Sequence, residues 1–148
     1  MAERNITVNR KAKHEYHILS TYEAGIVLLG TEVKALRQNK ANLQDGYATL
    51  KNGEVWLVGV HIGVYDFGNI NNHDPLRERK LLLNKKEIRK IKNQIDVKGN
   101  TLIPLRMYFS NGKVKIELGV AKGKKSYDKR EDIKKRDIQR DLEKRMKL

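Results

Sequence analysis

Leu105-Arg-Met-Tyr-Phe-Ser-Asn-Gly-Lys-Val-Lys-Ile-Glu-Leu118 is the stretch that decides the fold. Its centre, Asn111-Gly112, supplies the two positive φ angles of a type I′ turn, whose twist suits paired strands. After the turn, Val114, Ile116 and Leu118 share one face, and Lys113, Lys115 and Glu117 the other. That alternation belongs to a strand with one face on a core and one in water. The signal recurs at Asn52-Gly53, between Tyr47-Ala-Thr-Leu-Lys51 and Glu54-Val-Trp-Leu-Val-Gly-Val60. Two hairpins of this kind predict an antiparallel sheet.

Working outward, His14-Glu-Tyr-His-Ile-Leu19 is expected as a strand. Gly25 to Arg37 fits two patterns. Ile26, Leu28, Gly30 and Leu36 share a strand face, while Leu29, Val33 and Leu36 fit helical spacing. The favoured expectation is a long bent strand, with Gly25 and Gly30 permitting the curvature. Asn84 is placed to cap a helix over Lys85-Lys-Glu-Ile-Arg-Lys-Ile-Lys92, with Glu87 at the third helical position as in a capping box. Ile88, Ile91 and Ile95, at i, i+3 and i+7, would plug one side of a barrel. The fold class expected is mainly β: a small closed antiparallel OB-like barrel of about six strands, flanked by short helices and followed by a basic tail. Closure also removes exposed sheet edges.

The 148 residues suit one ordinary domain plus a tail. Lys and Arg total 32 against 18 Asp and Glu, a net charge of +14, and mean hydropathy is −0.71. Such an excess repels itself in the compact state, which a polyanionic partner relieves. Absence of cysteine excludes a disulfide framework, thiol catalysis and cysteine-ligated zinc. No signal-peptide pattern opens the chain, and the longest apolar runs are far too short to span a bilayer, so a cytoplasmic protein without a membrane partner is expected.

Composition changes at Lys122. Residues 122–148 hold 12 Lys and Arg against 6 Asp and Glu. Lys122-Gly-Lys-Lys125 reads as a flexible cationic hinge. Beyond it, Asp128 with Glu131 forms a second capping-box pattern, and pairs such as Glu131–Lys135 and Asp132–Arg136 have the favourable i,i+4 order. The apolar residues there, Ile133, Ile138, Leu142, Met146 and Leu148, form a thin stripe. The expected organisation is therefore a barrel over 1–121 and a basic tail over 122–148, disordered when free and helical on an anionic surface.

Catalytic signals are weak. His73-Asp74-Pro75 resembles a base beside a carboxylate, yet Asn-His-Asp-Pro before a basic run reads as a turn. His14 and His17 point to opposite faces of a strand, with no third ligand nearby. Gly119-Val-Ala-Lys-Gly-Lys-Lys-Ser126 lacks the phosphate-loop spacing. No catalytic residue, metal or cofactor is assigned. The basic clusters Arg10-Lys11-Lys13, Lys34 with Arg37, and Arg77-Glu-Arg-Lys80 point to nucleic acid. Aromatic residues are too sparse for serial base stacking, and structured RNA read by shape and backbone fits better.

Nine short motifs then resemble, in order and spacing, those of the small protein B family. They are Asn9-Arg-Lys-Ala12, Glu23-Ala-Gly25, Gly30-Thr-Glu-Val-Lys34, Leu36-Arg37, Asn42-Leu43, Asn72-His-Asp-Pro75, Arg77-x-Arg-Lys-Leu-Leu-Leu83, Thr101-Leu-Ile-Pro-Leu105 and Gly123-Lys-Lys-x-x-Asp-Lys-Arg130. The resemblance implies an RNA-binding adaptor of trans-translation, not an enzyme. It implies binding of the tRNA-like domain of transfer-messenger RNA near its elbow, and delivery to the A site of a stalled ribosome. Elongation factor Tu would take part through the charged RNA.

On the same resemblance, Asn9, Arg10, Lys11, Glu23, Lys34, Arg37, Lys80, Leu83, Asn84, Lys124 and Lys125 would face the RNA. A carboxylate such as Glu23 must there accept from base or ribose donors or hold an arginine; a helix-capping role is the alternative reading. The tail would lie in the empty mRNA channel, with Tyr127, Asp128, Lys129, Arg130, Lys134, Lys135, Arg136 and Met146 contacting the ribosome. At Tyr127 many relatives carry histidine; tyrosine retains stacking but lacks the titratable nitrogen. Two other functions compete: a ribosomal or assembly protein binding structured rRNA, and a nuclease using His73 and Asp74.

Overall fold

The structure is a computed structural model that describes residues 3–65 and 72–124. In chain order the elements are β1 (Arg4–Val8), α1 (Arg10–Glu15), β2 (Tyr16–Ile26), α2 (Gly30–Arg37), β3 (Ala41–Asn42), β4 (Tyr47–Lys51), β5 (Glu54–Val58), β6 (His61–Ile62), β7 (Arg79–Leu82), α3 (Lys85–Ile95), β8 (Asn100–Ser110) and β9 (Lys113–Gly123). Both Asn-Gly turns take the expected geometry, with φ of 54° and 74° at Asn52 and Gly53, and 52° and 77° at Asn111 and Gly112. The pairings run β8-β4-β5-β7-β2-β9, and β9 pairs with β8 again, closing an antiparallel ring of six strands. β1 adds to β8 outside the ring. The mainly β ring with short flanking helices is the expected fold class. Among the described residues no helix is long and apolar enough to cross a membrane.

The main core fills the ring. Val55, Leu57, Leu81, Leu102, Met107, Ile116, Leu118 and Val120 are buried there, and α3 closes one side with Ile91 fully buried and Ile88 and Ile95 packed beside it. A smaller second core lies outside the sheet, where Ala12 of α1 packs on Ile103, Leu105 and Ala121, with Tyr16 and Ile18 alongside. Two bulges create it. Register shifts between Pro104 and Arg106, and between Ile18 and Ser20. A bulge places consecutive residues on one side of a strand. Leu105 and Arg106 accordingly both face outward, while Leu102 and Met107 remain in the main core.

The bent strand expected over Gly25 to Arg37 is wrong beyond Ile26. Gly30–Arg37 is the helix α2, burying Glu32, Ala35 and Leu36 at helical spacing. The deciding group is the Glu32 carboxylate. It accepts the Leu29 backbone N–H at 2.8 Å, which satisfies one of the orphan donors of a helix start. It also takes Arg77 and Arg79 at 2.5 Å each. Arg79 donates further to the carbonyls of Val60 (2.8 Å) and Pro75 (3.1 Å). Burial alone would raise the pKa of Glu32. Arg77, the Leu29 N–H and Arg79 outweigh it and hold the carboxyl below its ordinary value.

Three further corrections concern element limits. The strand expected at His14–Leu19 begins only at Tyr16, because Asn9 caps α1 over the residues before it. Lys122 and Gly123 are not a flexible hinge: they extend β9, opposite His17 and Tyr16, and Lys122 also faces Asn100. Arg77-Glu-Arg-Lys80 is no free basic cluster, since Arg77 and Arg79 serve Glu32 and Lys80 pairs with Glu54 at 3.1 Å. Residues from Lys125 onward, where the tail helix is expected, lie outside the described residues.

Substituting Glu32→Gln is expected to cost about 3–5 kcal/mol, because it leaves Arg79 buried without its counter-charge. A carboxyl whose folded pKa is depressed stabilises the fold above its ordinary pKa and loses that contribution as pH falls through the depressed value. Denaturant titrations from pH 7 to pH 3 should therefore show a steep acid-side loss in the native chain and a shallower one in the variant. Equal acid slopes would contradict the assignment.

Candidate nucleic-acid interface

β9 alternates without interruption, so Lys113, Lys115, Glu117, Gly119 and Ala121 all lie on the outer face of the sheet. Register extends this face sideways. Leu82 of β7 pairs with Gly25 of β2, Gly25 with Lys115 of β9, and Lys115 with Tyr108 of β8. The neighbouring row runs Glu23, Glu117, Arg106. α1 and the second core cover the far half of this face; in the two rows Glu23 and Leu82 are exposed, while Tyr108 is buried beneath Arg106.

Electrostatics on the open half are organised by Arg106 and Tyr108. Glu23 and Glu117 stand directly opposite each other, a repulsive pairing of like charges. Each carboxylate has its own partner. Arg106 binds Glu117 at 2.8 Å and Glu3 at 3.0 Å, and its guanidinium stacks on the Tyr108 ring at 4.0 Å. The Tyr108 hydroxyl donates to Glu23 at 2.6 Å. Burial, and then the Glu23 bond, push the Tyr108 phenol well above its ordinary pKa, so it stays a donor. Hydrogen bonding to Glu117 raises the pKa of Arg106, against burial and with help from Glu3. Glu23 thus presents an oriented carboxylate with accepting capacity left for an outside donor. It lies within a strand, so the helix-capping alternative is excluded.

Beside these rows the surface becomes apolar. Leu82 is 51% exposed and borders an open cavity of about 420 Å³ lined also by Gly25, Leu28, Val33, Lys113 and Lys115. Gly25 matters for this surface: a Cβ added there would meet Leu82 Cβ at 3.3 Å. Lys34 and Arg37 are exposed on α2, whose Val33 lines the same cavity. Lys34 lies over the Tyr65 ring at 5.4 Å, and Arg37 lines a neighbouring recess with Arg4, Phe109 and Gly112.

The structure therefore brings Glu23, Lys34, Arg37 and Asn84 to one region, with Arg10 and Lys11 exposed on α1 over the far half of the same sheet face. Lys80 and Leu82 alternate on β7, with Lys80 tied to Glu54. Lys124 donates to the Lys13 carbonyl at 3.4 Å, next to α1. Two expected residues are revised. Asn9 is 5% exposed, with its side chain engaged by Pro104 O, Leu43 O and the Ala12 N–H; it builds the site from inside. Leu83 packs against the main core, and Leu82 is the leucine that faces out. Asn84 is exposed while its side chain caps α3 through the Glu87 N–H at 2.9 Å. Arg106, Tyr108 and Lys115 escaped sequence reading, although their outward positions follow from the alternation of the first hairpin quoted above. Lys125 and the tail residues lie outside the described residues.

His73 gives the nuclease reading no footing. It is 6% exposed, with one ring nitrogen on the Ile62 carbonyl and the other on Thr31 Oγ1, both at 2.9 Å. A carbonyl only accepts, so in the neutral ring Nε2 carries the proton and Nδ1 accepts from the threonine.

Comparison with known proteins decides the family. The family model described as SmpB protein matches residues 6–148. The chain belongs to the SmpB family. An SsrA-binding protein of Acetivibrio thermocellus is 60% identical over 98% of this chain and 94% of its own length. One of Ligilactobacillus salivarius is 57% identical over 94% and 90%. A chain in a solved structure described as "tmRNA-SmpB: a journey to the center of the bacterial ribosome" superposes with a TM-score of 0.70 and 48% identity, covering 83% of this chain and 87% of that one.

The two leucines of this SmpB-family chain separate fold from interface. Leu83→Ala is expected to cost about 2 kcal/mol or more of stability, the lower range for truncating a packed leucine. Leu82→Ala should leave the melting temperature nearly unchanged while weakening RNA binding about tenfold. Thermal melts and RNA titrations on both variants check this; the reverse pattern would place the wrong leucine on the surface.

Proposed function

We propose that this protein is the adaptor of trans-translation: it binds the tRNA-like domain of transfer-messenger RNA and brings it to the A site of stalled ribosomes. The observation that carries the reading is the open outer face around Glu23, on a chain whose full-length relatives are SsrA-binding proteins. A basic protein that holds one carboxylate in fixed orientation among cations is suited to folded RNA. The cations neutralise phosphates, while the carboxylate accepts from ribose hydroxyls or base N–H groups of an unstacked loop. Leu82 and its cavity supply apolar contact to an exposed base.

In this reading Glu23, Lys34, Arg37, Lys80, Leu82 and Asn84 contact the RNA, Arg10, Lys11, Lys124 and Lys125 take backbone phosphates, and Tyr108 and Arg106 orient Glu23. The tail enters the vacant mRNA channel, with Tyr127, Asp128, Lys129, Arg130, Lys134, Lys135, Arg136 and Met146 against the ribosome. Peptide transfer belongs to the ribosome, so the protein is an adaptor and no enzyme. It works in the cytoplasm, and elongation factor Tu joins through the charged RNA.

Two experiments test this. Glu23→Gln should weaken binding of the tRNA-like domain about tenfold, and Tyr108→Phe several-fold. If Tyr108 acts through Glu23, the double variant should bind no worse than Glu23→Gln alone. Additive losses would contradict that linkage, and full affinity of Glu23→Gln would contradict the site. Separately, truncation after Tyr127 should leave RNA affinity within about twofold and abolish peptide tagging on stalled ribosomes. Collapse of affinity with the tail would refute the division of labour.

A further inference from the structure

α3 carries a face that the fold leaves open. Ile88, Ile91 and Ile95 pack on the core, and the opposite side presents Lys85, Lys86, Arg89 and Lys90, all exposed. None of the four has an ion pair or side-chain hydrogen bond with a described residue. Four cations elsewhere are paired with carboxylates: Lys51 with Glu78, Lys80 with Glu54, Arg79 with Glu32 and Arg106 with Glu117.

The pattern also works against the helix itself. Lys85–Arg89 and Lys86–Lys90 are like charges four residues apart, which repel across one turn. Lys85 and Lys86 occupy the first turn, where the positive end of the helix dipole favours anions, and Glu87 is the one acid there. An anion held along this face would offset both effects.

Position indicates which anion. Asn84 is at once the cap of α3 and the residue two after Leu82, so the cationic face begins where the apolar end of the open sheet face stops. From Lys85 to Lys90 it runs about 7.5 Å along the helix axis. Lysines bind phosphate as point charges without reading bases. A membrane surface fits less well, because the apolar stripe of α3 is packed inside the protein and unable to insert.

We propose that the Lys85–Lys90 face of α3 grips the phosphate backbone of the same RNA that the Glu23 face contacts, extending the footprint by one electrostatic arm. This rests on the reading of that face as the site for the tRNA-like domain. The division predicted is between an acceptor-bearing face that discriminates and a helix that supplies salt-dependent affinity.

The test compares the full-length native chain with a variant carrying Lys85→Gln, Lys86→Gln, Arg89→Gln and Lys90→Gln. Each is titrated with a transcript of the tRNA-like domain over a series of KCl concentrations, with purified ribosomes, and with vesicles containing phosphatidylserine. The expected result is a salt slope shallower by about 3 units, at roughly 0.7–0.9 per phosphate. Affinity at the lowest salt should fall at least tenfold, with a melting temperature equal to or above native. Lys86→Gln alone should remove a fraction of the same slope. An unchanged slope, or a loss confined to ribosomes or vesicles, would overturn the proposal. Glu23→Gln run in parallel should lower affinity without changing the slope. If it does nothing while the α3 variant behaves as expected, the reading of the Glu23 face fails and the α3 contact stands.

Discussion

The buried contact between Glu32 and Arg79 is the constraint on which the rest of the structure depends. Both side chains are fully buried and belong to elements 47 residues apart in sequence. Charges removed from water stabilise a fold only when every remaining donor and acceptor is met. Here Arg79 also binds two carbonyls, and Glu32 also closes the first turn of α2 and takes Arg77. One carboxylate thus fixes α2, the start of β7 and the Val60 and Pro75 turns to each other. β7 in turn brings Leu82 against Gly25, and α2 brings Lys34 and Arg37 to the edge of the same surface. That surface is held from beneath by a buried ion pair.

Glu32 also explains where sequence reading stopped short. The hairpins were legible because Asn-Gly states its own backbone geometry and the flanking alternation is local. α3 was legible because its cap and its isoleucines lie within 12 residues. α2 was not, because its defining feature is a buried carboxylate whose partners come 45 and 47 residues later, in a run that looks like surface charge. Arg77-Glu-Arg-Lys80 reads as basic whether its arginines face water or a glutamate. Leu81, Leu82 and Leu83 are identical letters, and only the pairing of β7 with Gly25 shows that the middle one faces outward. Asn9 had the right neighbourhood and the wrong role: it organises α1 and the bulged strand β8 instead of meeting a partner.

The outer face has a common logic. Two bulges divide it into a half covered by α1 and an open half whose charges are arranged in pairs. Glu23 would be repelled by Glu117 and surrounded by competing cations if Arg106 and Tyr108 did not take fixed places between them. The result is an exposed, oriented acceptor at Glu23 on a strongly basic protein. Cations give affinity for any nucleic acid; an acceptor that must be satisfied penalises those that offer it no donor. In the proposed function, affinity and discrimination reside in different side chains of one surface.

The most direct measurement of the central claim is recovery of the full-length protein from cells under native conditions, with sequencing and quantification of the RNA it carries. The account predicts transfer-messenger RNA at about one copy per protein, with ribosomes present in substoichiometric amounts. One protein on every ribosome, with ribosomal RNA as its sole companion, would contradict it.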